Sequence, residues 1–204
     1  MPEDFGNDVF INCPFDEDYQ PFFHALFFVV VACGYRVRCA LEVDNGAQAR
    51  ILKILGIIGE SPFGIHDISR TELNAKGLPR FNMPLELGMF LGAKQFGRGH
   101  HRKKACLILD RERFRYHEFI SDIAGHDIHA HQDDPKTLIV VVRNWLRGLV
   151  PDRSVPGGEA IYEHYLLFLR DLPDLCDKLR IKPDELTYAD YANIVSRWVL
   201  HNPP

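Results

Sequence analysis

Short runs of β-forming residues alternate along the chain with longer segments whose apolar residues recur at helical spacing. The β-forming runs predict strands over 8–13, 35–41, 63–69 and 105–110, with a short fifth strand within 125–131. Helical spacing predicts helices over 16–34, 45–61, 83–96 and 135–150. This alternation is typical of an α/β fold in which helices cover both faces of an open, mainly parallel sheet.

Five strands in this rhythm favour the flavodoxin-like order 2-1-3-4-5. The pattern changes after Val150, where a Pro- and Gly-containing linker precedes two further helices. We therefore divide the chain into an α/β domain of residues 1–150 and a C-terminal helical extension of residues 151–204. Aromatic residues at helical spacing in the extension are expected to pack on the parent domain. The same helices could instead contact a second copy or a partner protein.

Composition and charge exclude several classes of protein. The formal net charge of −4 argues against a general nucleic-acid binder. No apolar run reaches the roughly 20 residues that span a bilayer, so no membrane association is expected. Five widely spaced cysteines indicate buried thiols in a reducing cytoplasm. The histidine-rich segment 126–134 lacks a helical pair of ligands, and we predict no metal site.

Polar residues follow three neighbouring strands of the predicted sheet. Ligands of such sheets bind beyond the carboxyl ends of the strands, at the switch point between strands one and three. Each of these residues could also cap a helix, hold a turn or pair with a neighbour. The residues predicted to bind substrate at this edge are Asn12, Cys13, Pro14, Phe15, Asp16, Glu42, Arg50, Ser69, Arg70, Arg80 and Asn82.

Glu86 is the most suggestive of the polar residues, because it begins an otherwise apolar helix. Gly88 and Gly92 are expected to let that helix approach the sheet closely. Burial beside such packing raises the pKa of a carboxyl group, whereas a helix N-terminus lowers it. A carboxylate that is held ionised in a pocket from which water is excluded can attack a sugar carbon that becomes cationic, or can stabilise its charge. The simpler alternative is that Glu86 only complements the helix dipole.

Four stretches together resemble the bacterial TIR-like proteins, which are related in fold to nucleoside 2-deoxyribosyltransferases. These stretches are "VFINCPFDEDYQPFF", "CALEVDNGAQARILKI", "GIHDISR" and "PRFNMPLELGMFLGAK", and the resemblance covers residues 8–147. It implies that Glu86 is the glutamate that acts on an N-glycosidic bond. It further implies that NAD is the substrate, with no separate cofactor, that the enzyme works as a homo-oligomer, and that it serves in antiviral defence.

The leaving group distinguishes the possible reactions. Nicotinamide leaves NAD as a neutral molecule and needs little help from an acid. A nucleoside base leaves as an anion unless it is protonated, so a deoxyribosyltransferase needs a second carboxyl group. Asp67 is the candidate for that acid, with Asp16 in reserve. The three arginines Arg50, Arg70 and Arg80 could hold phosphates and favour NAD. A nucleoside 2-deoxyribosyltransferase or N-glycosidase, and a non-enzymatic nucleotide-binding signalling module, are the alternatives.

Overall fold

The sheet is parallel throughout and has the expected strand order. A computed structural model describes residues 6–42, 45–73, 76–150 and 154–203. Within them the strands run in the order β2-β1-β3-β4-β5, with every neighbouring pair parallel. The predicted α/β class and the order 2-1-3-4-5 are therefore confirmed. The strands are β1 (Asp8–Asn12), β2 (Arg36–Arg38), β3 (Phe63–Asp67), β4 (Ala105–Asp110) and β5 (Ile128–Ala130).

Helices cover both faces of the sheet. Helices α1 and α4 pack together on one face, and α2 and α3 pack on the other. Short 3₁₀ turns occupy Glu17–Tyr19, Gly99–Lys103, Arg115–Glu118, Ser121–Ile123 and Pro183–Glu185. The α-helices are α1 (Gln20–Ala32), α2 (Arg50–Glu60), α3 (Asn82–Phe96), α4 (Pro135–Leu149), α5 (Gly158–Leu179) and α6 (Tyr188–His201). Among the described residues, none of these helices is both long and apolar enough to cross a membrane.

Strand β3 sends alternate side chains into two different cores. Ile65 packs in the core beneath α1 and α4. His66 points the other way, and its ring contacts Phe10 and Phe90 on the α2 and α3 side. Because successive residues of a strand point to opposite faces, Asp67 lies on the same face as Ile65. This alternation of side chains between the two faces of the sheet determines which of the predicted site residues lie close together.

Helix α3 approaches the sheet through a glycine of β3. A Cβ atom at Gly64 would lie 2.7 Å from His66 Nε2 and 2.9 Å from a ring carbon of Phe90. Both distances are too short for a real Cβ atom, so the position requires glycine. The prediction that Gly88 and Gly92 allow this approach is wrong, because a Cβ atom at either would meet open space. Both lie away from the helix–sheet contact.

The C-terminal extension contributes to the core of the α/β domain. The predicted linker starts at residues 151–153, which lie outside the described residues. Helix α5 packs on α4 and α1, and α6 packs on α1, in line with the expectation from their aromatic residues. The rings of Phe168 and Trp198 pack against the ring of Phe28 of α1 in tilted arrangements. Tyr191 also donates a hydrogen bond to the carbonyl oxygen of His24, at 3.2 Å.

This packing predicts a large stability difference between two neighbouring positions of α6. Trp198 is 7% exposed, and its indole nitrogen donates to Asp171 at 3.1 Å, whereas Leu200 is 77% exposed. Trp198→Ala should lower the free energy of unfolding by about 3–5 kcal/mol through lost burial and a cavity. Leu200→Ala should change it by less than about 0.5 kcal/mol. Urea unfolding of both variants measures the difference, and equal losses would show that α6 is not part of the core.

Candidate active site

A cleft of about 520 Å³ opens beyond the carboxyl ends of the central strands. Its size is within the range of small-molecule sites. The loop after β1, the start of α2 and the segment that leads into α3 form its walls. The structure therefore brings together most of the residues that the sequence predicted at this edge. Those that line the cleft are Cys13, Pro14, Phe15, Asp16, Arg50, Arg80, Asn82 and Glu86.

Three further lining residues were missed by sequence reasoning: Pro79, Phe81 and Met83. Phe81 is 65% exposed, although its ring is large and apolar. Together with Phe15, it gives the cleft two aromatic side chains. An aromatic residue inside the polar, turn-rich segment before α3 was the available signal. Such residues in loops commonly serve binding rather than packing.

Glu86 is the buried carboxylate of this cleft. Helix α3 begins at Asn82, so Glu86 is its fifth residue and lies in the second turn rather than in the first. The influence of the helix dipole falls off within the first turn, which weakens the explanation of Glu86 as a helix-start charge. The residue is only 8% exposed. Burial raises the pKa of Glu86 to about 7, and the positive charge of Arg50 acts in the opposite direction.

Two arginines give the cleft positive charge. Arg50 is the first residue of α2, is exposed, and makes no ion pair within the described part of the chain. Arg80 pairs with Asp16, whose carboxylate also accepts a hydrogen bond from the backbone nitrogen of Tyr19 at 3.1 Å. Arg50 is therefore the cation that is available to an anionic ligand without breaking an existing ion pair.

Asp67 lies outside the cleft, on the opposite face of the sheet. Its carboxylate is fully buried and accepts hydrogen bonds from the hydroxyl of Tyr19 and, at 2.8 Å, from the backbone nitrogen of Ser69. His131 Nε2 lies 3.2 Å from it. Burial alone would raise the pKa of Asp67, but these three neighbours lower it by a larger amount. The pKa of Asp67 therefore lies below its ordinary value. An ionised carboxylate in this position is not placed to protonate a base that leaves from the cleft.

Four other predicted residues also lie away from the cleft. Asn12 is buried and donates a hydrogen bond to the first turn of α3, and Ser69 is buried at the start of the loop after β3. Glu42 pairs with Arg38 at 2.7 Å, which explains it as a structural ion pair. Arg70 lies in an adjoining hollow of about 210 Å³, which shares Asp16 and Arg80 with the cleft. Asp18 and Glu72 also line this hollow, so Arg70 lies there among carboxylates.

The environment of Cys13 argues against a nucleophilic role. Burial raises the pKa of its thiol well above the ordinary value, and the nearby negative charge of Asp67 acts in the same direction. The nucleophilic form of cysteine is the thiolate, which this environment disfavours. In the described ranges, no group of three or more His, Cys, Asp or Glu residues could hold a metal ion.

Comparison with known proteins adds no assignment to this geometry. No protein-family model matches the chain, and neither a curated protein nor a solved structure matches it.

The buried carboxylate predicts that Glu86→Gln stabilises the protein at alkaline pH. Because the pKa of Glu86 is higher in the folded chain than the ordinary 4.5, wild type loses stability as the pH rises from about 4.5 to about 7. Above that range the loss is constant, at about 1–2 kcal/mol after allowance for residual solvent screening. Glu86→Gln should therefore unfold at a higher temperature than wild type near pH 8 and at the same temperature near pH 4.

Thermal unfolding at the two pH values measures this difference. Glu163→Gln on the exposed side of α5 is the matched control and should change stability by less than about 0.5 kcal/mol at either pH. A Glu86→Gln variant that is less stable than wild type near pH 8 would show that the carboxylate is well solvated or well paired.

Proposed function

We propose that the protein cleaves the N-glycosidic bond of NAD, releasing nicotinamide and an ADP-ribose product that is linear or cyclic. The observation that carries the proposal is the buried carboxylate of Glu86 in the wall of a cleft that also holds Arg50, a cation with no ion pair to any described residue. The resemblance to bacterial TIR-like proteins supports the same reaction. It also supports a role in defence signalling and self-association of the chain.

The proposed reaction breaks the bond between the ribose C1′ and the nicotinamide nitrogen. The bonding electron pair passes to the ring nitrogen, and the cationic pyridinium leaves as neutral nicotinamide. The ribosyl group becomes cationic at the same time, and the negative charge of Glu86 stabilises it. Water then adds to C1′ and releases a proton, which gives linear ADP-ribose. If an adenine nitrogen adds instead, the product is cyclic.

The positions of the other carboxylates favour NAD over a nucleoside. A neutral leaving group needs no acid, whereas a purine or pyrimidine base needs one. Asp67 faces the other side of the sheet, and Asp16 is paired with Arg80. The cationic side chain of Arg50 can contact a phosphate of a dinucleotide, a group that a nucleoside lacks.

Incubation of the purified chain with NAD and, separately, with deoxynucleosides tests the proposal by chromatography. Wild type should release nicotinamide from NAD, and Glu86→Gln should reduce the rate at least about 100-fold through loss of the stabilising charge. Glu163→Gln, on exposed α5, is the control and should keep the wild-type rate.

Each other outcome of this incubation points elsewhere. Full activity of Glu86→Gln would contradict the role of the carboxylate. Release of free base from a deoxynucleoside would favour a deoxyribosyltransferase or nucleosidase. Tight binding of NAD without turnover would favour a nucleotide-binding signalling module.

The charge balance in the cleft predicts a specific pH profile. Since the reaction needs ionised Glu86, kcat/KM for NAD should rise with pH, with its midpoint at about pH 7, and level off about one pH unit above that. Arg50→Ala removes a charge that lowers the pKa of Glu86, so the midpoint should move upward. It should also raise KM for NAD by about 10-fold through loss of a phosphate contact. Arg50→Lys is the charge-preserving control, and a profile that is flat from pH 5 to pH 9 would contradict this account.

A further inference from the structure

Asn12 connects the end of β1 to the first turn of α3. The residue is 2% exposed. Its side-chain nitrogen donates to the carbonyl oxygen of Met83 at 2.8 Å and lies 3.0 Å from Nδ1 of His66. An amide nitrogen carries two hydrogens, and these two partners use both. The nitrogen of Asn12 therefore has no hydrogen left for a ligand in the cleft.

The His66 partner is held as a neutral acceptor. Its ring is fully buried between Phe10 and Phe90, with ring centroids at 5.8 and 5.0 Å. Burial lowers the pKa of His66 to about 3, so the ring is neutral at physiological pH. Because Nδ1 of His66 accepts the hydrogen bond from Asn12, the single ring proton lies on Nε2. Gly64 leaves room for that nitrogen, which a Cβ atom would approach to 2.7 Å.

The Met83 partner lies on the same helix face as the carboxylate of the cleft. Met83, Glu86 and Leu87 are buried neighbours on α3, at the spacing that brings residues of adjacent turns together. The bond from Asn12 therefore fixes the turn that immediately precedes Glu86. It joins that turn to β1, an interior strand of the sheet that pairs with β2 on one side and β3 on the other.

We propose that Asn12 is a positioning residue that fixes the first turn of α3 and thereby holds the Glu86 carboxylate in the wall of the cleft. This inference rests on the proposed function for its kinetic readout, and it replaces the sequence-based assignment of Asn12 as a substrate contact. Small displacements of a reacting group have large kinetic effects, since a shift of about 1 Å can cost about 100-fold in rate.

Asn12→Ala removes both hydrogen bonds and is the direct test. The kcat for nicotinamide release should fall at least about 10-fold while KM for NAD changes by less than about threefold, because no substrate contact is lost. Side-chain ¹³C NMR should show the pKa of Glu86 falling by at least about one unit, since a loosened turn admits water to the carboxylate. The Glu86 signal is assigned from its absence in Glu86→Gln.

Tyr35→Phe is the matched control for the loss of a buried hydrogen bond. The Tyr35 hydroxyl donates to the carbonyl oxygen of Leu146 at 3.1 Å, on the α1 and α4 face of the sheet. This variant should leave both kcat and the Glu86 titration as in wild type. If Asn12→Ala does not fold, Asn12→Ser leaves a smaller cavity and should produce the same two changes.

Two results would overturn the proposal. One is an alanine or serine variant whose kcat and Glu86 pKa both match those of wild type. The other is a Tyr35→Phe variant that changes them equally. If wild type releases no nicotinamide, the proposed function fails, but the NMR titration still decides whether Asn12 holds Glu86 in its buried position.

Discussion

The close packing of α3 on β3 determines both the place of the cleft and the chemistry of its carboxylate. Phe90 lies against Gly64 and His66, so α3 comes nearer to the sheet than a side chain at position 64 would permit. The first two turns of the helix then close one wall of the cleft and bury Glu86. Without that approach the carboxylate would be hydrated, and its pKa would be that of an ordinary glutamate.

Opposed electrostatic effects in the cleft leave Glu86 near the midpoint of its titration at neutral pH. Burial favours the neutral carboxyl group, whereas Arg50 at the start of α2 favours the carboxylate. A bound cation, such as the pyridinium ring of NAD, would favour the carboxylate further. The proposed substrate would thus bring about the charge state that its own cleavage requires. The buried charge lowers the free energy of unfolding of the chain, as is common at active sites.

The sequence was sufficient for the fold and for the edge of the sheet at which the candidate cleft lies, because both follow from periodicity. Apolar runs separated by helical segments predict the parallel sheet, and its strand order places the loops after β1, β2 and β3 at one edge. The sequence could also have excluded Asp67 from the cleft. Asp67 is two residues from Ile65 and one from His66, and strand parity puts it on the face of α1 and α4.

Other features depended on tertiary contacts that a sequence does not reveal. An asparagine at a strand end fits a ligand contact as well as a hydrogen bond to a helix, and only the position of the Met83 carbonyl distinguishes the two for Asn12. Likewise, glycines on a helix suggest close packing, yet Gly88 and Gly92 face open space while Gly64 provides the contact. Phe81 belongs to a segment that the pattern assigned to a polar loop. The pattern did not predict the path of that loop, so the exposed position of Phe81 in the cleft could not be predicted.

The most direct measurement is the ¹³C titration of the Glu86 carboxyl group with and without a carbocyclic NAD analogue, whose bond to nicotinamide cannot be cleaved by way of an oxocarbenium ion. The account predicts a pKa of about 7 in the free protein and a fall of at least about one unit when the cationic analogue binds. A carboxyl group that titrates at its ordinary value of 4.5 and does not respond to the analogue would contradict it.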